Sequence, residues 1–252
     1  MIKFNRFLLI LLFNFCLIKT SEAMYHTTVS VGGYEINLSK EAKGTLEVRK
    51  GMSGQSIFCN IKNWSKPPST GTGIISLTSD DTGLLIYPGN QYIKIKELLA
   101  CNYGSVKLYD IPYPEDLPGV VIDVNFNKKI LMSLIVTDAQ ASLYQTVVSY
   151  FNGNKNIFSG KGFWDEFSDE EGDSFYVDLD DFYIGKISSN GEYISPSFLD
   201  CSPSSFPGVW NIKSRKKVVF QDKADSIIEN KCKKLFTGEA TLKELKGQLL
   251  DQ

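Results

Sequence analysis

The chain has 252 residues, 42% hydrophobic, 22% charged and 12% aromatic, with a formal net charge of −2 and a single histidine. That content builds a hydrophobic core without a cofactor and excludes a disordered chain. The near-neutral charge excludes a broad basic nucleic-acid footprint. His26, close to the N-terminus, is the only base available to Ser-His-Asp or Cys-His catalysis.

In chain order, the first element is a leader. Lys3 and Arg6 precede a mostly apolar run from Phe7 to Ile18, and Ser21-Glu22-Ala23 puts small residues at the −3 and −1 positions of a cleavage site. This is the layout of a secretory signal peptide over residues 1–23. The apolar run is shorter than the roughly 20 residues that span a bilayer. The mature chain is therefore expected to start at Met24, without a transmembrane segment, and to be secreted, periplasmic or at the cell surface.

With Cys16 removed, Cys59, Cys101, Cys201 and Cys232 remain. An even number in an exported chain predicts two disulfides, with three pairings open. The sequential pairing, Cys59–Cys101 and Cys201–Cys232, keeps one bridge in each half. Each would contribute about 3–4 kcal/mol through loop-closure entropy. There is no C-x-x-C pair and no second histidine, which argues against zinc.

Residues 29–38, "VSVGGYEINL", alternate in polarity on both sides of Gly32-Gly33, predicting two strand halves joined by a turn or bulge. Leu46 to Val48 continues the pattern. In "SIFCNIK", Ile57, Cys59 and Ile61 share a face, so Cys59 points inward. Pro67 to Gly71 is a loop. "GIISLTS", "GLLIYPG" and "YIKIKELLAC" read as three strands, followed by strands over 104–110 and 119–126. Residues 130–151 start as a buried strand, and their back half fits either a strand or a short helix. Close-spaced strands without intervening helices favour an antiparallel sandwich over βαβ units. An exported sandwich with an internal disulfide resembles the immunoglobulin class.

After residue 152 the texture changes, and the turn-rich "NGNKNIFSGKG" marks a junction. The expected organisation is a β-sandwich domain over 24–152 and an acidic β-rich region with C-terminal helices over 153–252. The fold class is mostly β: an antiparallel Ig-like β-sandwich followed by a smaller α+β region ending in helices. In the second region a hairpin is expected around Asn190-Gly191, and a Pro- and Ser-rich loop around Cys201. "GVWNIKSRKKVVFQD" reads as a strand pair, with Lys213 to Lys217 a solvated turn or strand end. Ala224 to Phe236 reads as a helix broken near Gly238. Thr241 to Leu250 reads as a second, with Thr241 and Glu244 spaced as a capping box.

Residues 163–183, "FWDEFSDEEGDSFYVDLDDFY", carry nine carboxylates. Asp169, Glu171 and Asp173 sit at the alternate positions of a calcium loop, and calcium is the metal cofactor they would hold. The EF-hand pattern fails, because Ser174 stands where the turn needs glycine and Asp180 where it needs glutamate. A carboxylate pair for glycoside hydrolysis is the second reading. The third is a strand with Phe175, Val177 and Leu179 inward and a solvated face of Tyr176, Asp178 and Asp180, in which case no cofactor is needed. No residue is assigned a catalytic role. Trp164 and Tyr193 are aromatics able to stack on a sugar if exposed.

"GTLEVRKGMSGQSIFCNIKN", the spacing to Cys101, and "LPGVVIDVNF" make residues 29–150 resemble subunits of chaperone–usher fimbriae. The resemblance implies an incomplete Ig-like sandwich completed by a strand from a neighbouring subunit. "TTVSVGGYEINLS" is then either the donor strand or the first strand of its own sheet. The helices expected at the C-terminus, the acidic segment and the second cysteine pair depart from that family. The expected function is recognition or assembly at a cell surface, with a fimbrial subunit or adhesin as its concrete form and proteins or surface glycans as partners. A secreted hydrolase using the carboxylates of residues 165–181 is one alternative. A periplasmic accessory factor docking through its C-terminal helices is another.

Overall fold

The structure, a computed structural model, describes residues 28–38, 44–51, 54–62, 74–86, 91–112, 120–138, 143–152, 157–160, 185–205 and 207–251. The fold is mostly β, with several antiparallel sheets and little helix.

The first sheet begins with the hairpin of β1 (Thr28–Val31) and β2 (Tyr34–Leu38). Gly32 and Gly33 have φ of 53° and 79°, the positive values that a two-residue hairpin turn requires and that glycine adopts without strain. The segment therefore forms the first hairpin of its own sheet. β3 (Thr45–Lys50) and β4 (Ser56–Lys62) extend it antiparallel, and β8 (Ser105–Lys107) adds alongside β4 in parallel. That parallel edge departs from the expected all-antiparallel pattern. It arises because the chain leaves β4, builds a second sheet, and returns through Cys101 beside Cys59.

The second sheet has the order β5 (Ile74–Leu77), β6 (Gly83–Ile86), β7 (Gln91–Lys94), β9 (Tyr109–Asp110). Ile36, Leu46, Val48, Cys59, Ile61 and Val106 of the first sheet share a core with Leu84, Ile86 and Ile93 of the second. Leu85, between Leu84 and Ile86, packs instead with Val121, Val124 and Leu131. All four residues of β6 are buried, which explains why its sequence is apolar without alternation.

"YIKIKELLAC", expected as one strand, breaks after Lys94 into the short helix α1 (Ile95–Leu99). A strand continuing the Ile93–Ile95 face would turn Glu97 into the core. The helical turn instead buries Ile95 and Leu98 and leaves Glu97 to accept the Tyr109 hydroxyl at 2.7 Å.

The third sheet runs β10 (Val120–Asn125), β11 (Ile130–Asp138), β12 (Leu143–Asn152), β13 (Ile157–Gly160), all antiparallel. The ambiguous back half of 130–151 is thus strand. β10 shifts register between Val121 and Asp123. The extra residue lets Val121 and Val124 both face the second sheet, while Ile122 joins Ile130, Met132 and Val148 on the opposite face.

That opposite face packs on the fourth sheet, β14 (Lys186–Ile187), β15 (Tyr193–Ser195), β16 (Val209–Asn211), β17 (Lys216–Val219) and β18 (Gln248–Leu250). Ile187, Ile194 and Trp210 supply its half of the core. Tyr193, Val209, Val218 and Phe220 face the other way, onto Ile228, Cys232, Leu235 and Phe236 of helix α2 (Asp225–Thr237). Gly238 ends α2 at φ 77°, with its N–H and that of Glu239 returning to the carbonyls of Leu235 and Lys234.

The expected second C-terminal helix does not form. The capping box does: Thr241 N–H donates to Glu244 at 2.8 Å and Glu244 N–H to Thr241 Oγ1 at 3.3 Å. One turn later Lys246 adopts φ 57°, its N–H bonds Lys243 O, and Gly247 N–H bonds Leu242 O at 2.9 Å. That is a helix-terminating motif, and residues 248–250 then pair with β17. The region ends in a strand because the Val218 edge has an open ladder for Leu249 to complete. The layers therefore follow in the order first, second, third and fourth sheet, then α2, each sharing a core with the next. Among the described residues, no helix is long and apolar enough to cross a membrane.

Candidate functional site

The four cysteines form two pairs at disulfide distance, Cys59 with Cys101 (Cα–Cα 6.0 Å) and Cys201 with Cys232 (5.7 Å). Each has a local cause. Alternation along β4 turns Cys59 inward between exposed Phe58 and Asn60, and α1 delivers Cys101 beside it. On α2 the buried positions Ile228, Cys232, Leu235 and Phe236 follow helical spacing, so Cys232 faces the fourth sheet and meets the loop at Cys201. Cys59, Cys201 and Cys232 are fully buried and Cys101 nearly so, and each pair is part of a hydrophobic core. Both pairs are placed for cross-linking, and none of the four residues is exposed.

Asp169, Glu171 and Asp173, together with Asp178, Asp180, Asp181, Trp164 and His26, lie outside the described residues. Tyr193 is buried in the core over α2 and offers no stacking face. Burial pushes its phenol pKa upward. Lys213 to Arg215 form the exposed turn between β16 and β17.

A residue that the sequence reading did not single out holds the layers together. Asp123, on β10, is the one fully buried carboxylate among the described residues. Its Oδ1 accepts the N–H of Ser79 at 3.0 Å and of Val124 at 2.8 Å, and its Oδ2 accepts the N–H of Ile187 at 2.8 Å. These donors come from the turn between β5 and β6, from β10 itself, and from β14. Around it, Ser79 Oγ donates to Val124 O at 3.3 Å, and Asn127 N–H to Asp80 at 3.1 Å. Asn125 Nδ2 donates to the carbonyls of Ser188 and Ser189, and Lys186 Nζ reaches Leu77 O. Loss of water drives the Asp123 pKa up to about 6, against the opposing pull of Lys186 and the three N–H bonds. A carboxyl with that pKa suits general-acid work, but this one is enclosed and committed to the backbone, so it positions sheets. In "VVIDV" the acid is flanked by large aliphatics, but only the covering of both faces of β10 leaves it no wet face to occupy.

The outer face of the first sheet is polar. Glu47 accepts from Ser56 Oγ and from Arg49 at 3.1 Å, and Arg49 Nε donates to Ser56 Oγ at 3.4 Å. Phe58, cross-strand from Glu47, is 46% exposed, and Tyr103, beyond Cys101, is 63% exposed with Gln55 Nε2 3.4 Å from its hydroxyl. This surface offers aromatic faces beside charged and amide groups. No protein-family model matches the chain, and no match was found among curated proteins.

Proposed function

We propose that this protein is exported and acts in recognition or assembly at a cell surface. The observation that carries the reading is the two buried cysteine pairs, one in each half of a mostly β chain. Such cross-links persist outside the reducing cytosol. The leader over residues 1–23 supports the same compartment. The concrete form is a subunit or adhesin of a chaperone–usher fimbria. It is supported by the antiparallel β3–β4 pair, which carries an inward Cys59 paired to Cys101. Partners are proteins or surface glycans, met by the Phe58 and Tyr103 side of the first sheet.

The compartment is tested by expressing the whole chain with its leader. The product should be found outside the cytosol, begin at Met24, and show no free thiol when denatured without reductant. Four free thiols or a retained leader sink the proposal. Recognition is tested by binding the mature chain to immobilised surface glycans and to intact cells, with Phe58→Ala and Tyr103→Ala as comparisons. Binding that falls at least tenfold in these variants at unchanged stability supports it. Equal binding by the variants refutes the assigned face. A neighbouring usher and chaperone gene pair supports the fimbrial form, and its absence counts against it.

A further inference from the structure

Resting on the surface-recognition reading, we propose that a lysine cluster carried by β4, β7 and β8 binds the carboxylate or sulfate groups of an acidic glycan. Lys62 on β4 stands directly opposite Lys107 on β8 in the parallel ladder, and both are exposed. The antiparallel register that sets Tyr92 of β7 opposite Tyr109 of β9, carried on by two residues, brings exposed Lys94 opposite Lys107. Lys62, Lys107 and Lys94 therefore adjoin across neighbouring strands, in a chain whose net charge is −2. Like charges set opposite one another across strands are destabilising, so the arrangement costs the fold rather than holding it.

Two of the three cationic heads are held in place. Lys94 Nζ lies 4.3 Å and Lys107 Nζ 5.0 Å from the centroid of the Tyr109 ring. That ring is fixed by its hydroxyl, which donates to Glu97 at 2.7 Å, and by Tyr92 at a centroid distance of 5.4 Å. Glu97 is also 3.9 Å from Lys94, and among the described residues no carboxylate pairs with Lys62 or Lys107. An ammonium resting on a ring keeps N–H donors for an acceptor arriving from solvent. Part of the cost of ordering these long side chains is thus met before a ligand binds.

The surface beside the cluster favours a sugar over other polyanions. On the outward face of β4 and β8, the Lys62–Lys107 pair is followed by Asn60 opposite Ser105, and then by exposed Phe58. Phe58 to Lys62 spans about 13 Å of strand. A sugar chain along it can stack one ring on Phe58 and hydrogen-bond its hydroxyls to Asn60 and Ser105. Its anionic group then meets the ammonium groups. A nucleic acid calls for a longer basic track than three lysines, and for a domain that is basic overall.

The test uses the full mature chain with its disulfides intact, binding to immobilised heparin, polygalacturonate, neutral dextran and polyglutamate. Heparin and polygalacturonate separate sulfate from carboxylate as the group bound. The wild type should bind at least one of these two about tenfold more tightly than dextran or polyglutamate. Combining Lys62→Gln, Lys94→Gln and Lys107→Gln should weaken that binding about tenfold or more. Combining Lys233→Gln, Lys234→Gln and Lys243→Gln, an equal charge change at exposed positions of the C-terminal region, should leave it unchanged. Equal binding by the cluster variant, an equal loss in the control, or no binding to either acidic polysaccharide overturns the proposal. So does equal binding to polyglutamate, which would point to an acidic protein. If the combined cluster variant does not fold, its three single substitutions decide in the same way. Loss in the lysine variant with Phe58→Ala and Tyr103→Ala unchanged refutes the aromatic contact assigned above and keeps the lysine site. Loss in the aromatic variants alone does the reverse.

Discussion

The first and third sheets use the same strand chemistry under opposite conditions. The first has one face in the core and one in water, so its polar residues point outward: Glu47, Arg49 and Asn60 alternate with Leu46, Val48 and Cys59. The third is covered on both faces, and its polar residues are inside. Asp123, Asn125, Ser133, Thr146 and Ser149 are all buried. In a half-wet sheet, polarity sets which face is solvated. Among the described residues of the covered sheet, Thr146 Oγ1 and Ser149 Oγ are buried without a hydrogen-bond partner and Ser133 bonds within its own sheet, whereas a polar side chain that finds a partner across a seam helps fix which neighbour docks. Asp123 and Asn125 do this, bonding Ser79 and Ile187 in one case and Ser188 and Ser189 in the other.

The cross-links give the largest expected effects and ask whether both ends of the stack depend on them equally. Replacing Cys59 and Cys101 together by serine should cost about 2–5 kcal/mol in urea unfolding, and so should replacing Cys201 and Cys232. Their sequence separations, 42 and 31 residues, predict nearly equal losses, because loop entropy grows only with the logarithm of length. A loss under about 1 kcal/mol for either pair would show that the cores already fix that end.

Next in size is a truncation that separates covered from half-wet strands. Leu85→Ala removes a fully buried side chain from the face that the second sheet turns to the third, and should cost about 2–5 kcal/mol. Phe58→Ala, on the solvent face of the first sheet, should cost under about 1 kcal/mol. Equal losses would contradict the layer order. The measurement is the change in urea midpoint at constant slope.

This contrast also explains what could be read from the chain. Alternation in "SIFCNIK" announced an inward Cys59, and helical spacing around Cys232 announced α2 and its end near Gly238. Those signals work because one side of each element meets water. β6, with "GLLI", reads as a strand but cannot say which leucine faces which sheet, since both faces are apolar. The helical turn after Lys94 and the strand after Gly247 were hidden for another reason. Each depends on a partner distant in sequence, the first sheet's core for Ile95 and Leu98, and the β17 edge for Leu249. Stacking four sheets is likewise a property of pairs of faces, and no local pattern encodes it. The outward face around Phe58 was legible as alternation, while the Asp123 junction required knowing that both sides of β10 are covered.

The smallest expected effect comes from a carboxylate whose pKa is shifted in the opposite direction to that of buried Asp123, and it makes the comparison sharpest. Glu47 lies on the half-wet face, where hydrogen bonds from Ser56 and then Arg49 hold its pKa below the ordinary carboxylate range despite some desolvation. A depressed acid contributes stability above its unfolded pKa and loses it as pH falls through the folded value. Glu47→Gln should therefore cost under about 1 kcal/mol at pH 7 and nothing once Glu47 is protonated in strong acid. Its stability profile below about pH 4.3 should be flatter than that of the wild type. Asp123, with three N–H donors against two side-chain donors, is better bonded, yet burial raises its pKa. What separates them is water. Hydrogen bonds decide the sign where solvent still screens the charge, and burial decides it where both faces of the sheet are covered. If urea midpoints across pH 7 to 3 showed both carboxylates losing stability together, the third sheet would have to be wetter than its packing implies.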